Sequence, residues 1–273
     1  MNKEDFKKIA YPETYADEKE LHDIFTFMRK NDPVSWVEPD QYRPFWAITK
    51  HEDIIEIEKQ NELFINDPRT TLMDIPTEDA IKEFTGGSHL LVRSLVHMDN
   101  PDHQSYRSLT QKWFAPPNLE SLKKDIRNIA KEYVNKMVDH GNECDFAKDV
   151  AIFYPLRVIM SILGVPKEDE PRMLRLTQEL FGGRDEDMIR DESETSSESN
   201  TITDFFEYFT ALTEDRRKNP TNDVSSVIAN AQINNEQLGH LEAMSYYVII
   251  ATAGHDTTSS STAGGILALI ENP

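Results

Sequence analysis

Apolar residues recur at helical spacing along most of this chain. Leu21 to Arg29 reads as an early amphipathic helix that ends before Asn31-Asp32-Pro33. Val34-Ser35-Trp36-Val37 and Phe45-Trp46-Ala47-Ile48-Thr49 are aromatic and β-branched runs flanking a polar, proline-containing turn, which predicts a hairpin. Helical patterning returns over His51 to Asn61, and Phe64 to Pro76 is irregular. Gly86-Gly87-Ser88 and Asn100-Pro101 bracket a loop carrying Leu90, Leu91, Val92, Leu95 and Val96. Pro101 opens a helix to about Phe114, at the position where a missing amide hydrogen costs nothing.

A longer helix is predicted from Asn118 to His140. Leu122, Ile126, Ile129, Val134, Met137 and Val138 form its apolar face, and Lys123, Lys124, Arg127, Lys131 and Lys136 its basic face. Another spans Pro155 to Leu163, ending at Gly164 with Pro166 as a stop. Helices at Lys167–Phe181 and Ile202–Arg217 flank an acidic, serine-rich stretch, Asp185 to Asn200, too polar to bury itself and read as a solvated loop. Asn219 to Asp223 is a turn, Val224 to Ala231 a short helix, and Glu236 to Glu271 one long helix. With no repeat, phosphate loop or linker, the expectation is a single, mainly α domain over 1–273 with a small β portion.

Charge narrows the function classes. Lys and Arg number 29 against 49 Asp and Glu, a net charge of −20, which disfavours nucleic acid and anionic membranes as partners. The one cysteine, Cys144, excludes an internal disulfide and fits a reducing cytoplasm. No apolar run reaches signal-peptide or bilayer-spanning length.

The chemistry concentrates near the end. Tyr246 to Ala253 is apolar on nearly every side, so that stretch should be buried. It runs directly into Ala253-Gly254-His255-Asp256-Thr257-Thr258. Close packing through small residues would explain Gly, Thr and Ser but not the acid, because a buried carboxylate costs several kcal/mol unless paired. A local opening of the helix resolves the conflict. Gly254 weakens the ladder, and the Thr257 hydroxyl can reach back four residues to the Ala253 carbonyl, leaving a notch for water or dioxygen.

This string resembles the oxygen-binding helix of the cytochrome P450 family, the haem-thiolate monooxygenases. Met98-Asp99-Asn100-Pro101-Asp102-His103-Gln104-Ser105-Tyr106-Arg107 is similar to the start of the family's C helix. Phe114-Ala115-Pro116, Cys144-Asp145-Phe146, Tyr154-Pro155-Leu156 and Leu163-Gly164-Val165-Pro166 follow in family order. The resemblance implies a P450-like fold around haem b. Asp256 would be the acid that relays protons, and Thr257 the alcohol that hydrogen-bonds reacting oxygen. Ala253 and Gly254 would leave room above the haem, His255 would face away, and His103 and Arg107 would bind the haem propionates.

Two look-alikes are set aside. Glu214-Asp215-Arg216-Arg217 satisfies the family's Glu-x-x-Arg but precedes the oxygen helix, so a solvated ion pair is expected there. Cys144 lacks the family's cysteine loop around it and is expected to be an ordinary thiol. The chain stops at Pro273, before the family's K helix, L helix and axial cysteine, so it holds no iron ligand. The expectation is an amino-terminal fragment, inactive alone, with an exposed apolar patch on the oxygen helix.

For the complete enzyme the resemblance implies insertion of one oxygen atom from dioxygen into a small hydrophobic substrate, terpenoid or steroid. Leu90, Leu91, Val92, Val96 and the Phe205-Phe206 region would line its pocket. Electrons would come from NAD(P)H through a ferredoxin-type redoxin, docked on a basic surface including Arg107 and Lys112. The stretch at 185–200 would lie in the lid between the F and G helices. The alternative is a non-catalytic helical protein of the same fold that binds a hydrophobic ligand or a partner.

Overall fold

Side-chain caps start several of the helices, and Gly86 and Gly164 end two of them in the left-handed conformation. The computed structural model describes residues 1–141, 143–181 and 201–273, so the acidic loop and lid predicted at 185–200 lie outside the described residues. The chain is mainly helical and packs as two compact units, Met1–Asn100 and Pro101–Pro273. No described helix is long and apolar enough to cross a membrane.

The first unit begins with α1 (Lys3–Phe6), a 3-10 turn and α2 (Pro12–Ala16), followed by α3 (Glu18–Asn31). The Asp17 carboxylate accepts from the Glu20 amide and starts α3 one turn earlier than hydrophobic spacing predicts. The predicted hairpin forms: β1 (Val34–Val37) pairs antiparallel with β2 (Phe45–Ile48), with Trp36 opposite Trp46. Alternation sends Val37 and Ala47 inward onto Phe6, Ile9, Ile24 and Met28. The two Trp rings meet on the outer face, with centroids 5.2 Å apart. Each such buried aliphatic side chain contributes about 1.5–3 kcal/mol.

After α4 (His51–Glu58) comes a helix that hydrophobic spacing did not predict, α5 (Ile75–Thr85). Asp74 caps it by accepting from the Thr77 amide, and Gly86 ends it at φ 71°, a conformation that favours glycine.

The second unit holds α6 (Asp102–Gln111), α7 (Pro116–Asp139), a π-helical turn (Phe146–Ala151), α8 (Phe153–Leu163) and α9 (Glu170–Phe181). α10 (Thr201–Lys218), α11 (Val224–Ala229), the small hairpin β3 (Gln232–Ile233) and β4 (Glu236–Gln237), α12 (His240–Ala253) and α13 (Asp256–Glu271) complete it. Its core joins Leu156, Met160 and Leu163 to Met173, Phe205, Phe209, Met244 and Tyr247. Tyr247 lies flat on Phe209, and its hydroxyl accepts from Thr213 and donates to the Ser225 carbonyl, so the buried phenol keeps both bonds. Phe205 is therefore core, not pocket wall as expected; Phe206 beside it is half-buried, edge-on to His240.

Three further expectations change. α7 buries only the Ile129–Tyr133 stripe, with Met137 packed beside it. Val134 and Val138, each one residue and thus about 100° off that stripe, are 56% and 70% exposed. The Glu214–Arg217 ion pair does not form, because Arg217 donates to the Ala229 carbonyl instead. Its neighbour Arg216 binds Asp223 and the carbonyl of Gly164. Finally, the long helix predicted over 236–271 starts only at His240. Residues before it turn back on Asn234 and Asn235, both at positive φ, to make the β3–β4 hairpin. Cys144 is a free, exposed thiol.

Candidate active site at the broken helix

α12 ends at Ala253 and α13 begins at Asp256, so the opening predicted at Gly254 is present. The Gly254 amide bonds to the Thr252 carbonyl, and the His255 amide lies 3.3 Å from that same carbonyl. Gly254 and His255 belong to neither helix and form the turn between them. The Thr257 hydroxyl donates to the Ala253 carbonyl at 2.9 Å and bridges the gap.

His255 anchors the break. It is 1% exposed, with Nε2 3.0 Å from the Ile152 carbonyl and Nδ1 3.3 Å from the Thr177 hydroxyl. A carbonyl only accepts, so Nε2 carries the proton and Nδ1 is left to accept. Burial holds the imidazole below its ordinary pKa, opposed by the Ile152 bond and by Asp256. Gly254 sits against α8: a Cβ built there would lie 2.2 Å from Ile159 Cδ1. The packing of α8 thus leaves no room for a side chain at 254 unless Ile159 shifts.

The string splits by facing. Ala251, Thr252, His255 and Ser259 are buried, and the Ser259 hydroxyl donates to the His255 carbonyl. Ala253, Thr257, Thr258, Ser260 and Ser261 are exposed, and Asp256 is half-buried. The polar residues of α13 thus escape the burial cost that a continuous deep helix would impose. Further along the same helix, Leu267, Leu269 and Ile270 are exposed, the apolar patch expected there.

A second helix is tied to this one. The Tyr106 ring of α6 stacks on Tyr246 of α12 at 6.5 Å and 15°, and the Tyr246 hydroxyl donates to the Tyr106 carbonyl. Burial pushes the Tyr246 phenol well above its ordinary pKa, so it stays protonated and keeps that bond. His103 and Arg107 flank Tyr106 on α6 at the predicted i, i+4 spacing, His103 half-buried and Arg107 exposed. Among the described residues neither side chain takes a hydrogen bond or an ion pair. Tyr246 and Ala253 lie two turns apart on one face of α12, about 10 Å along its axis. Small exposed residues on α12 and two unpaired basic donors on the helix stacked against it are the kinds of groups that a flat ligand with an anionic edge, such as haem, requires.

Sequence reading turned His255 away from the site without seeing its anchoring role, and it gave Tyr106 no role. A histidine inside an otherwise apolar and small-residue helix was the available signal for the first. Tyr106 had one too, lying between two basic residues on the same helical face.

No protein-family model matches the chain. It is 39% identical over 275 residues to cytochrome P450-terp of a Pseudomonas species, covering 98% of this chain and 64% of that protein. It is 27% identical over 252 residues to the steroid C26-monooxygenase of Mycolicibacterium smegmatis, covering 90% and 57%. The crystal structure of CYP108D1 from Novosphingobium aromaticivorans superposes with a TM-score of 0.84 at 43% identity, covering 96% of this chain and 62% of that one. The chain spans just under two thirds of the length of these relatives. With this similarity running along nearly its whole length, and with the same helical fold, the chain belongs to the cytochrome P450 family.

Proposed function

We propose that this chain forms the oxygen-facing side of a haem monooxygenase that inserts one atom of dioxygen into a small hydrophobic substrate. The observation that carries this reading is the helix break with the Thr257 hydroxyl bonded across it to Ala253 on an open face. His103 and Arg107 would hold the propionates, while Ala253 and the Gly254 backbone leave space over the ring. When bound, the haem supplies the activation of dioxygen.

The chain's own residues manage the protons. Thr257 spends its one O–H on the Ala253 carbonyl, so its oxygen lone pairs remain free to accept. By rotating that O–H away it could donate to a group on the open face, the carbonyl then taking water. Asp256 stands at the first position of α13, half-buried, where it can exchange protons with solvent and pass them to Thr257 through water. His255 is a positioning residue: it keeps the turn open and touches neither partner of the transfer. Arg107 and Lys112, both exposed, provide a basic spot for a ferredoxin-type donor fed by NAD(P)H in the cytoplasm. Relatives named for terpene and steroid chemistry support a terpenoid or steroid substrate.

The test is a chimera in which this chain is continued by the remaining carboxyl-terminal part of the Pseudomonas relative. It should bind haem with the Soret band of a thiolate-ligated, carbonyl-bound haem and oxidise a monoterpene. Thr257→Ala in the chimera should divert electrons to hydrogen peroxide at the expense of product, while substrate binding holds. A chimera that binds substrate but takes up no haem would instead favour the non-catalytic binding protein.

A further inference from the structure

Glu78 on α5 is 3% exposed and is the hub of a basic cluster within the first unit. Arg69 donates to its Oε1 at 2.6 Å, Lys82 approaches the same oxygen at 2.8 Å, and Arg43 donates to Oε2 at 2.8 Å. One carboxylate therefore faces three permanent cations, in a chain whose net charge is −20. The other carboxylate acting on Arg43 is that of Asp79, which is exposed. Glu78 sits at the wall of a cavity of about 290 Å³, together with Arg43, Arg69, Thr70 and His89. The rest of the lining is largely apolar, including Pro44, Phe45, Leu72 and Met73.

Two polar atoms of this cavity are buried without a hydrogen bond, Thr70 Oγ1 and His89 Nδ1. The imidazole nitrogen lies 3.0 Å from Glu78 Oε1 but off the axis a bond requires. Buried polar atoms are rarely left unpaired, so orphans beside surplus positive charge mark a place for an acceptor. The other two such atoms among the described residues, Trp113 Nε1 and Arg157 Nε, line a cavity whose walls already include the carboxylates of Asp125 and Glu132. That second cavity suits water. The first suits an anion with an apolar body.

We infer that this cavity binds the carboxylate of an apolar monocarboxylic acid, its head between Arg43 and Arg69 and its chain against Phe45, Leu72 and Met73. The arginines keep N–H groups beyond those given to Glu78, and a planar carboxylate matches their fork. Glu78 holds the cations in place and competes with the guest for their charge.

Calorimetric titration of the full 273-residue chain with octanoate, octan-1-ol and acetate decides the matter. Octanoate should bind about tenfold more tightly than either neutral octanol or short acetate. Arg69→Gln should weaken octanoate by about tenfold and leave octanol unchanged. Glu78→Gln should tighten octanoate several-fold, an outcome that a purely structural lock cannot give. If circular dichroism shows that this variant does not fold, Arg69→Gln, which leaves Glu78 three neighbours, carries the decision. Equal affinities for octanoate and octanol, equal affinities for octanoate and acetate, or an Arg69→Gln chain that binds octanoate undiminished would each overturn the inference. No haem enters the measurement, so its failure is separate from failure of the monooxygenase reading.

Discussion

His255 and Thr257 stand two residues apart at the same helix break and live in opposite surroundings. His255 is sealed between the Ile152 carbonyl and the Thr177 hydroxyl, whereas Thr257 looks outward with one bond to its own backbone. The sealed residue holds the geometry and the open one is available for chemistry. Four-back hydroxyl bonds do not themselves mark the site, because Thr252, Ser259 and Thr262 make them as well. What sets Thr257 apart is that its bond spans an interrupted ladder on an exposed face. A helix with a purely structural kink would place both neighbours in packing.

The sharpest test of that contrast is His255→Ala. It removes a buried ring and its bonds to the Ile152 carbonyl and the Thr177 hydroxyl, so thermal or urea unfolding should show a loss of about 3–5 kcal/mol. The same substitution bears on the cause of the break. If His255 draws the turn open, its removal lets the ladder close, and the amides of Asp256, Thr257 and Thr258 gain protection from hydrogen exchange. In the parent chain those three, beside the break, should exchange faster than the Ser259 amide, which is bonded to the His255 carbonyl at 2.9 Å. Slow exchange at all four in the parent would dissolve the comparison.

Gly254→Val attacks the same seal from the other side. Added methyl groups meet Ile159, and overpacking of this kind costs about 1–3 kcal/mol. Ile159→Ala in the same chain should recover much of that loss. Additive effects in the double-mutant cycle would mean that the two residues do not touch.

Acid should open the seal reversibly. The folded-state pKa of His255 is depressed by burial, so its neutral form stabilises the fold fully above the ordinary histidine value of 6.5. As pH falls from there towards the lower folded pKa, stability drops by up to about 1.4 kcal/mol per pH unit. Glu78 also has a depressed pKa, chiefly through its bond from Arg69, but its contribution is lost only below the ordinary glutamate value of 4.5. The window between these two values belongs to His255 together with His97, whose pKa burial also depresses, so only the variant's difference isolates His255. Stability curves of the parent chain and His255→Gln should diverge there, and parallel curves would remove His255 from the pH response.

How much of this the chain announced depended on where its apolar residues lie. The β1–β2 hairpin follows from period-two alternation, and the end of α8 from Gly164 followed by Pro166. The break itself was legible because an acid and hydroxyls cannot continue a dry helix. α5 was not, since the one residue it buries is Glu78, and spacing arguments look for buried aliphatics. Its signal was the capping Asp74 with Pro76 in the first turn. The β3–β4 hairpin buries nothing fully and rests on two asparagines at positive φ. The sealed role of His255 escaped because its partners, Ile152 and Thr177, are 103 and 78 residues away in sequence.

The smallest expected effect falls on the residue that matters most for the proposed chemistry. Thr257→Ala removes an exposed hydroxyl whose acceptor, the Ala253 carbonyl, can turn to water instead. Its cost to folding should stay within about 0.5 kcal/mol, inside the range of ordinary surface substitutions. Thr257→Ser should be indistinguishable from the parent both in unfolding and, within the chimera, in how electrons divide between product and peroxide. A structural Thr257 would reverse this pattern, with unfolding shifted by both variants and peroxide release by neither. A small stability change together with a large loss of coupling separates the open face of the break from its sealed one, because only groups on the open face can meet the oxygen.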